Sequence, residues 1–385
     1  MPNKFILASA GAGKTTTLVN DTLAAAHNGQ TALILTYTKN NQAEIVKKIR
    51  EVNGSIPENI KVKGWFSFLL EDLIRPYQRY FFHERISNIN FNAKDPHKRD
   101  GRNIPGRSEA INNQINKIYY LINNKAHTTY ISKLATRLCD AGKSGRGRTA
   151  KYTPIERLSS IYNLIVIDEV QDLVGWDYSV LEYILSSQTI TLHCIGDFRQ
   201  TIYQTSHANK LPQTSAQKRQ WFANKGFEYE NHNHSWRCVE QICVLADLVH
   251  AHMDYEATKS NVENVPEDYE DHVGIFAVSN ETVAEYLERF NPTILRLDRT
   301  VRNDLGKKVR FQNFGEVKGL GFNRVLIVPT RNHSSFLQGD PSPLRNAKTE
   351  ESLNKLYVAI TRARYSVAFL YDGTPRIDNI SVWTP

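Results

Sequence analysis

Two stretches of this sequence carry side chains suited to handling a nucleoside triphosphate. The first, ASAGAGKT (residues 8–15), follows the short apolar run FIL. Its spacing is that of a P-loop with alanine at the first position, and its small residues let the backbone turn tightly. Lys14 would neutralise the β- and γ-phosphates, and the Thr15 hydroxyl would hold Mg²⁺. Backbone N–H groups of the loop and of the first turn of the helix would surround the phosphates. They belong to Ala10, Gly11, Ala12, Gly13, Lys14, Thr15 and Thr16.

The second stretch is LIVIDEVQD (residues 164–172), an apolar run that ends in two acids. Ligands of open α/β sheets bind at the carboxyl ends of such strands. Asp168 is therefore predicted to reach the Mg²⁺, and Glu169 to take the proton of an attacking water. An exposed acidic turn is the plainer interpretation, but the preceding apolar run favours a strand end.

Two later stretches supply polar and cationic groups. Gln200, in CIGDFRQTIYQ, is predicted to contact the γ-phosphate. In LYVAITRARYSVAFLYD, Thr361, Arg362 and Arg364 lie between a helical pattern and an apolar strand. An arginine delivered from a second domain is the arginine-finger arrangement. A solvated arginine pair at a helix end is the alternative.

Composition narrows the class of protein. The 385 residues include 48 basic and 40 acidic side chains, a net charge of +8, which makes a polyanionic partner plausible. The four cysteines show neither a disulfide framework nor a zinc spacing, so we expect a reduced, cytoplasmic protein. The longest apolar stretches fall short of the roughly 18 residues that span a bilayer.

Apolar runs alternate with helical patterns, which predicts an α/β protein with parallel sheets. TALIL (residues 31–35) is a predicted strand, and the following TYTKNNQAEIVKKIR a predicted helix. Around residues 76–151 the strand runs disappear and basic loops surround EAINNQINKIYYLINNK, which reads as a helical stretch. We expect a first motor domain at 1–75 and 152–226, a mostly helical basic insertion at 76–151, and a second motor domain at 227–385.

Taken together, the motifs resemble the UvrD/Rep branch of superfamily 1 DNA helicases. They occur in order as ASAGAGKTTT, LTYTKNNQAE, WFSFLL, VIDEVQD, IGDFRQTIY, HSWRC, VKGLGF and LYVAITRAR. The resemblance implies two RecA-like P-loop domains that hydrolyse ATP with Mg²⁺ in the cleft between them. It implies Lys14, Asp168, Glu169, Gln200, Arg237 and Arg362 as the catalytic set, with Arg237 and Arg362 as fingers. Trp236 stands where a tyrosine usually stacks on adenine, and Gly319 belongs to the nucleotide-binding motif VKGLGF.

Three departures from the family pattern shape these expectations. Only Met1 to Lys4 precede the first strand, where the family carries an adenine-reading glutamine, so Trp236 is expected to carry more of the adenine recognition. The short DLGKKVRFQNFGE replaces a large accessory domain, which indicates a compact form. Gly321 stands at the place of a ribose-contacting glutamate, a contact that Glu316 is a candidate to replace.

A nucleic-acid surface is predicted from aromatic and basic side chains. Stacking on aromatic rings contributes roughly 1–3 kcal/mol per base, and a basic groove follows the backbone. The candidate aromatics are Tyr37, Trp65, Phe66 and Tyr203; ordinary core packing is the alternative for each. The basic loops are expected to grip phosphates through Arg146 and Arg148, with Lys94, Lys98, Arg99, Arg102 and Arg107 nearby.

The sequence therefore predicts an ATP-dependent translocase or helicase on single-stranded or tailed duplex DNA, with the resemblance implying 3′ to 5′ movement. RNA stays open as a substrate. An alternative is a nucleic-acid-responsive regulatory ATPase that signals to a partner such as a nuclease, in DNA repair or antiviral defence, with little unwinding. A second alternative, a catalytically inert nucleic-acid binder, is disfavoured by the intact set of catalytic residues.

Overall fold

A computed structural model describes residues 2–91, 95–141, 153–202, 210–301, 305, 309–347 and 349–385. The chain divides into two compact units. The first comprises Met1–Ile6, Lys14–Gly196 and Tyr203–Glu230, and the second Leu7–Gly13, Asp197–Ile202 and Asn231–Pro385. No helix in the described ranges has the length and apolar content needed to cross a bilayer.

A six-stranded sheet organises the first part of the chain. Its strands, in spatial order, are Glu228–His232, Lys4–Ala8, Thr191–Gly196, Leu164–Ile167, Ala32–Thr36 and Ile60–Gly64. The last four pair in parallel, with Ile167 opposite both Cys194 and Leu35. Leu164–Ile167 and Ala32–Thr36 are buried along their whole length, as expected for central strands covered on both faces.

Local sequence signals determine where helices of the first unit begin and end. Thr38 caps the helix that follows the second strand, and Gly54 ends it at a φ of 78°. Thr153 and Glu156 form a capping box on another helix. The helices are Lys14–His27, Lys39–Asn53, Trp65–Phe68, Lys117–Tyr120, Thr128–Ala141, Pro154–Ile161, Trp176–Ser186 and Ser215–Asn224, with a π-helix at Leu69–Ile74 and 3₁₀ turns at Gln78–Tyr80 and Val170–Asp172.

The insertion differs from the helical prediction. EAINNQINKIYYLINNK folds as the hairpin Ala110–Ile111/Gln114–Ile115, one helical turn, and a second hairpin, Leu121–Ile122/Lys125–His127. The reason is local: Asn112, Asn113, Asn123 and Asn124 all have positive φ, as a two-residue hairpin turn requires. Further short strands are Asn88–Asn90, Lys98–Arg99 and Arg102–Asn103. Thr128–Ala141 is the one long helix in the described part of the insertion.

The second unit contains another six-stranded sheet, and all of its pairings are parallel. Its strands, in spatial order, are Phe311–Asn313, Thr293–Arg296, Phe322–Val328, Ala363–Leu370, Gly274–Val278 and Ile380–Val382. The helices that accompany it are Glu240–Val249, Glu267–Glu270, Val283–Phe290, Arg331–Leu337, Ser342–Arg345 and Glu351–Ile360, with a 3₁₀ turn at Phe198–Gln200. The short strands His234–Ser235 and Lys259–Ser260 pair in parallel.

The predicted α/β class with two parallel-strand sheets is confirmed by these two sheets. The predicted domain boundaries placed residues 7–13 and 197–202 with the first sheet. In the structure both segments count with the second unit, because their side chains and backbone bond to residues of that unit. The P-loop backbone is thus divided at the residue where its helix begins.

Candidate nucleotide-binding site

The P-loop has the geometry that its sequence predicts. Strand Lys4–Ala8 leads into the loop, and helix Lys14–His27 begins at the predicted lysine. Gly11 and Gly13 adopt φ of 80° and 75°, a region that residues with a Cβ rarely occupy. The Ala12 amide donates to the Ser9 carbonyl at 3.1 Å, which closes the loop upon itself. Lys14 and Thr15 therefore stand on the first turn of a helix, where anions bind.

The acidic pair of the first unit lies at the end of the buried strand Leu164–Ile167, as predicted. The Asp168 side chain is 6% exposed and its Oδ2 accepts from the Thr36 hydroxyl at 3.4 Å. Burial and the neighbouring Glu169 raise the pKa of Asp168 to about 7, against the opposing effect of Lys14. A buried carboxylate in this condition is stabilised in its charged form by a cation.

Glu169 occupies the left-handed region at a φ of 53°. Non-glycine residues in this region are uncommon and concentrate at functional sites. Gln171 donates from its side-chain nitrogen to the Glu169 carboxylate. The backbone conformation and this amide together fix where the predicted proton acceptor points.

In the second unit the P-loop backbone packs tightly against the HSWRC segment. A Cβ on Gly11 would lie 2.5 Å from Ser235 Oγ and 2.7 Å from Arg237 Cβ, so the loop tolerates only glycine here. The Trp236 amide donates to the Gly11 carbonyl at 2.9 Å. The Trp236 side chain is 68% exposed. The predicted stacking residue is thus fixed to the P-loop through its backbone, and its ring faces solvent.

The two predicted arginine fingers differ in how they are held. Arg362 is 1% exposed and donates to the carbonyls of Val358 and Leu320 and to Gln200 Oε1, at 3.0, 3.0 and 3.3 Å. Arg237 donates to the Thr361 carbonyl at 3.3 Å and makes no ion pair with a carboxylate of the described residues. Of the two predicted fingers, Arg237 therefore has more donors left over from described protein contacts, while Arg362 is bonded to Gln200.

Gln200 is held in the same unit by Asp197. Its Nε2 donates to Asp197 Oδ2 at 3.0 Å, and its Oε1 accepts from Arg362. This orientation leaves Gln200 fixed between an acid and an arginine.

Sequence reasoning missed a buried network around Arg199. This side chain donates to Ser9 Oγ of the P-loop at 2.8 Å, to Asp197 at 3.0 Å and to Asp247 at 2.9 Å. Its guanidinium also lies 4.8 Å from the ring centroid of Tyr357, whose hydroxyl donates to Asp197 and accepts from the Ala10 amide. The residue stands one position before Gln200, but its partners are distant in sequence.

The motif VKGLGF contributes a turn rather than a carboxylate. Gly319 has a φ of 86°, and a Cβ on Gly321 would lie 3.6 Å from Arg237 Nε. A glutamate at position 321 would therefore meet Arg237. The candidate replacement, Glu316, instead accepts from the backbone and side-chain nitrogens of Asn313.

The predicted nucleic-acid residues are placed differently from one another. Tyr37 is half-buried and its ring lies 5.7 Å from that of Phe66. Phe66 is buried, which is core packing, and it packs edge-on against the 69% exposed Phe91. Trp65 is 1% exposed and donates from Nε1 to Asp177, which is core packing. Tyr203, Arg146, Arg148 and Lys94 lie outside the described residues.

Comparison with known proteins assigns the family. The profile of a family described as AAA domain matches residues 1–206, which include the P-loop and the acidic strand end. The chain belongs to this AAA domain family.

Among solved structures, two forms of an arterivirus helicase, nonstructural protein 10, resemble this AAA domain protein. The form described as a complex with DNA has a TM-score of 0.46 at 13% identity and aligns over 96% of this chain. The other has a TM-score of 0.45 at 13% identity, again over 96% of this chain. The chain spans 61% and 59% of their respective lengths. No curated protein matches the sequence.

Proposed function

We propose that this chain is an ATP-dependent translocase or helicase of the UvrD/Rep kind, acting on single-stranded DNA in the 3′ to 5′ direction. The observation that carries the proposal is the packing of Gly11 against Ser235 and Arg237. It brings an arginine with uncommitted donors to a P-loop, which is the combination that stabilises a developing phosphate charge.

In the proposed reaction, Lys14 and the P-loop amides bind the triphosphate. Glu169 accepts a proton from the water that attacks the γ-phosphorus in line, while the bond from this phosphorus to the β,γ-bridging oxygen breaks and ADP leaves. Arg237 stabilises the negative charge that spreads over the phosphoryl oxygens, and Gln200 orients Arg362. Trp236 offers an indole face to the adenine.

Mg²⁺ suits the oxygen donors of this chain. Asp168 is a buried carboxylate whose pKa burial raises to about 7, and a bound cation would favour its charged form. Thr15 adds a hydroxyl on the first turn of the P-loop helix. When bound, the ion would neutralise charge on the β- and γ-phosphate oxygens.

Nucleic acid as the partner is supported by the surface of the first unit. The half-buried Tyr37 and the exposed Phe91 both contact the ring of the buried Phe66, so two of the three rings reach the surface. The hairpin Lys98–Arg99/Arg102–Asn103 presents exposed cations. Rings for stacking and cations for phosphates are the two requirements of single-strand binding.

The proposal is tested by measuring ATP hydrolysis with and without single-stranded DNA or RNA, beside strand displacement on duplexes with a 3′ or a 5′ tail. We expect hydrolysis to rise with single-stranded DNA and displacement to need the 3′ tail. A Lys14→Ala variant serves as the control and should show neither activity.

Other outcomes decide between the alternatives. Stimulated hydrolysis without displacement or movement would favour the regulatory ATPase. Absence of hydrolysis under all conditions would contradict the proposal and leave a nucleic-acid binder.

A further inference from the structure

A cavity of about 640 Å³ lies in the first unit. Neither the P-loop nor the acidic strand end lines it. It lies where the insertion meets the start of helix Trp176–Ser186. The residues that matter for its chemistry are His97, Lys98, Tyr119, Tyr130, Trp176 and Lys210. Cavities of this size accommodate small organic ligands.

Aromatic rings form the walls of the cavity and hold one another in place. The His97 ring stacks on Tyr119 with centroids 4.3 Å apart and planes 19° from parallel, and it contacts Tyr130 at 4.5 Å. The Tyr130 hydroxyl donates to Asp95 at 3.2 Å. The walls are therefore rigid faces, as a flat ligand requires.

The lysines that line the cavity and the neighbouring Arg137, which lies over the Trp176 ring, fall into two groups. Lys133 and Arg137 are both paired with Glu109, at 2.8 and 2.6 Å. Lys98 and Lys210 make no ion pair with any carboxylate of the described residues, and Lys210 Nζ lies 4.2 Å from the centre of the Trp176 ring. Positive charge with no permanent partner is thus concentrated at the aromatic wall.

The position of Lys210 is fixed by Gly175. With φ at 55°, a Cβ on Gly175 would lie 2.7 Å from the Lys210 carbonyl oxygen. The close approach brings the lysine over the first residue of the helix. A side chain at position 175 would push the lysine away from Trp176.

His97 supplies hydrogen-bonding atoms that the protein does not use. The side chain is 8% exposed, and neither ring nitrogen has a hydrogen-bond partner among the described residues. Burial lowers the pKa of His97, so the ring is neutral and offers one donor and one acceptor. Buried polar atoms of this kind ordinarily have a partner.

We infer that this cavity binds one nucleotide unit. The base would stack on the aromatic wall, His97 would bond to its edge, and Lys98 and Lys210 would bind its phosphate. The cavity lies outside the proposed ATPase site, because no residue of the P-loop takes part; with a nucleic-acid strand as the source, the inference rests on the nucleic-acid binding of the proposed function. The unit can come from a nucleic-acid strand or from a free nucleotide, since both present a base beside a phosphate.

The test measures binding of a fluorescent oligothymidylate, and separately of thymidine monophosphate, to the full chain. All variants carry Lys14→Ala so that the P-loop does not contribute. Trp176→Ala should weaken binding by roughly five- to 100-fold, the range that loss of one stacked base produces, while Trp176→Phe should retain most of it. Lys210→Ala should reduce the slope of log affinity against log salt by about 0.7.

Lys225→Ala is the matched control, because Lys225 also lies over a tryptophan of the same unit, Trp221, but outside the cavity. Its binding should equal that of the Lys14→Ala parent. Loss confined to the oligonucleotide supports a strand as the source, and loss for both probes supports a free nucleotide. The inference is overturned if both probes bind Trp176→Ala and Lys210→Ala as tightly as Lys225→Ala, or if neither probe binds the parent.

Discussion

The buried carboxylate at the acidic strand end of the first unit and the buried arginines of the second unit differ in how many hydrogen-bond partners the protein gives them. Asp168 is buried with a hydroxyl as its side-chain partner at 3.4 Å, and burial raises its pKa to about 7. Arg199 and Arg362 are equally buried, but each has three or more hydrogen-bond acceptors within 3.3 Å. The cations are held by partners within the protein, whereas the described side-chain partner of the carboxylate is a hydroxyl; in the proposed function, Mg²⁺ would supply the positive charge.

The arginines also differ from one another. Arg199 and Arg362 are hydrogen-bonded to Ser9 and Gln200, respectively, whereas the described partner of the Arg237 side chain is one carbonyl, which is why we propose that Arg237 donates to the phosphate. Preorganised groups of this kind stabilise a transition state without rearranging during the reaction.

Removal of Arg237 should have the largest effect. Arg237→Ala is expected to lower kcat for ATP hydrolysis by about a thousandfold or more, the magnitude of a lost arginine finger. The thermal midpoint should change little, because Arg237 makes only one described side-chain hydrogen bond. Arg364→Ala, an exposed arginine two positions after Arg362, is the control and should keep most of the activity. Equal loss in both variants would show that general positive charge matters, and not this position.

Removal of Arg199 should act on stability. Arg199→Met leaves the buried Asp197 and the half-buried Asp247 without their cation, and we expect the free energy of unfolding to fall by about 3–5 kcal/mol. Denaturant unfolding measures this change, with the exposed Arg289→Met as control. ATP should also bind more weakly, because Ser9 of the P-loop loses the guanidinium donor and keeps only the Thr258 hydroxyl among its described side-chain partners. Unchanged stability would mean that the network does not hold the P-loop.

Acid should destabilise the second unit through buried histidines. Burial lowers the pKa of His333 to about 4, below its ordinary value of 6.5. The contribution of the neutral His333 to the free energy of unfolding is therefore complete above pH 6.5. It is lost as the pH falls toward 4, by about 3 kcal/mol at 1.36 kcal/mol per pKa unit. His333→Gln, which cannot titrate, should show a shallower loss between pH 7 and 4.5 in denaturant unfolding. Identical pH profiles would contradict a neutral buried His333.

The smallest effect concerns Trp236. Because the ring is exposed and its backbone is fixed to Gly11, Trp236→Ala should raise KM for ATP by about two- to tenfold with kcat little changed. Trp236→Tyr should restore the wild-type KM. A large fall in kcat would show that the segment, and not only the ring, had moved.

The sequence predicted the parts whose signals are local. The P-loop, the strand Leu164–Ile167 and the helix before Arg362 all follow from short patterns of small, apolar or periodic residues. The asparagine pairs of the insertion were read as helix, although two adjacent asparagines between apolar residues are also a hairpin signal.

Other features depend on partners far along the chain. The Arg199 network joins Ser9, Asp197, Asp247 and Tyr357, and no short sequence pattern predicts that these residues contact one another. Trp65 looked available for stacking, yet Asp177 accepts its indole N–H inside the core. Burial of an aromatic side chain is decided by tertiary packing, which spacing alone does not reveal.

The central proposal, that Glu169 at the acidic strand end accepts the proton of the attacking water, is tested most directly by Glu169→Gln. The measurement is single-turnover ATP hydrolysis on single-stranded DNA, beside equilibrium ATP binding, with the exposed neighbour Glu44→Gln as control. We predict unchanged ATP affinity and hydrolysis slowed by about 100- to 10,000-fold, since the amide cannot accept the proton of water. Full hydrolysis by Glu169→Gln would contradict the account.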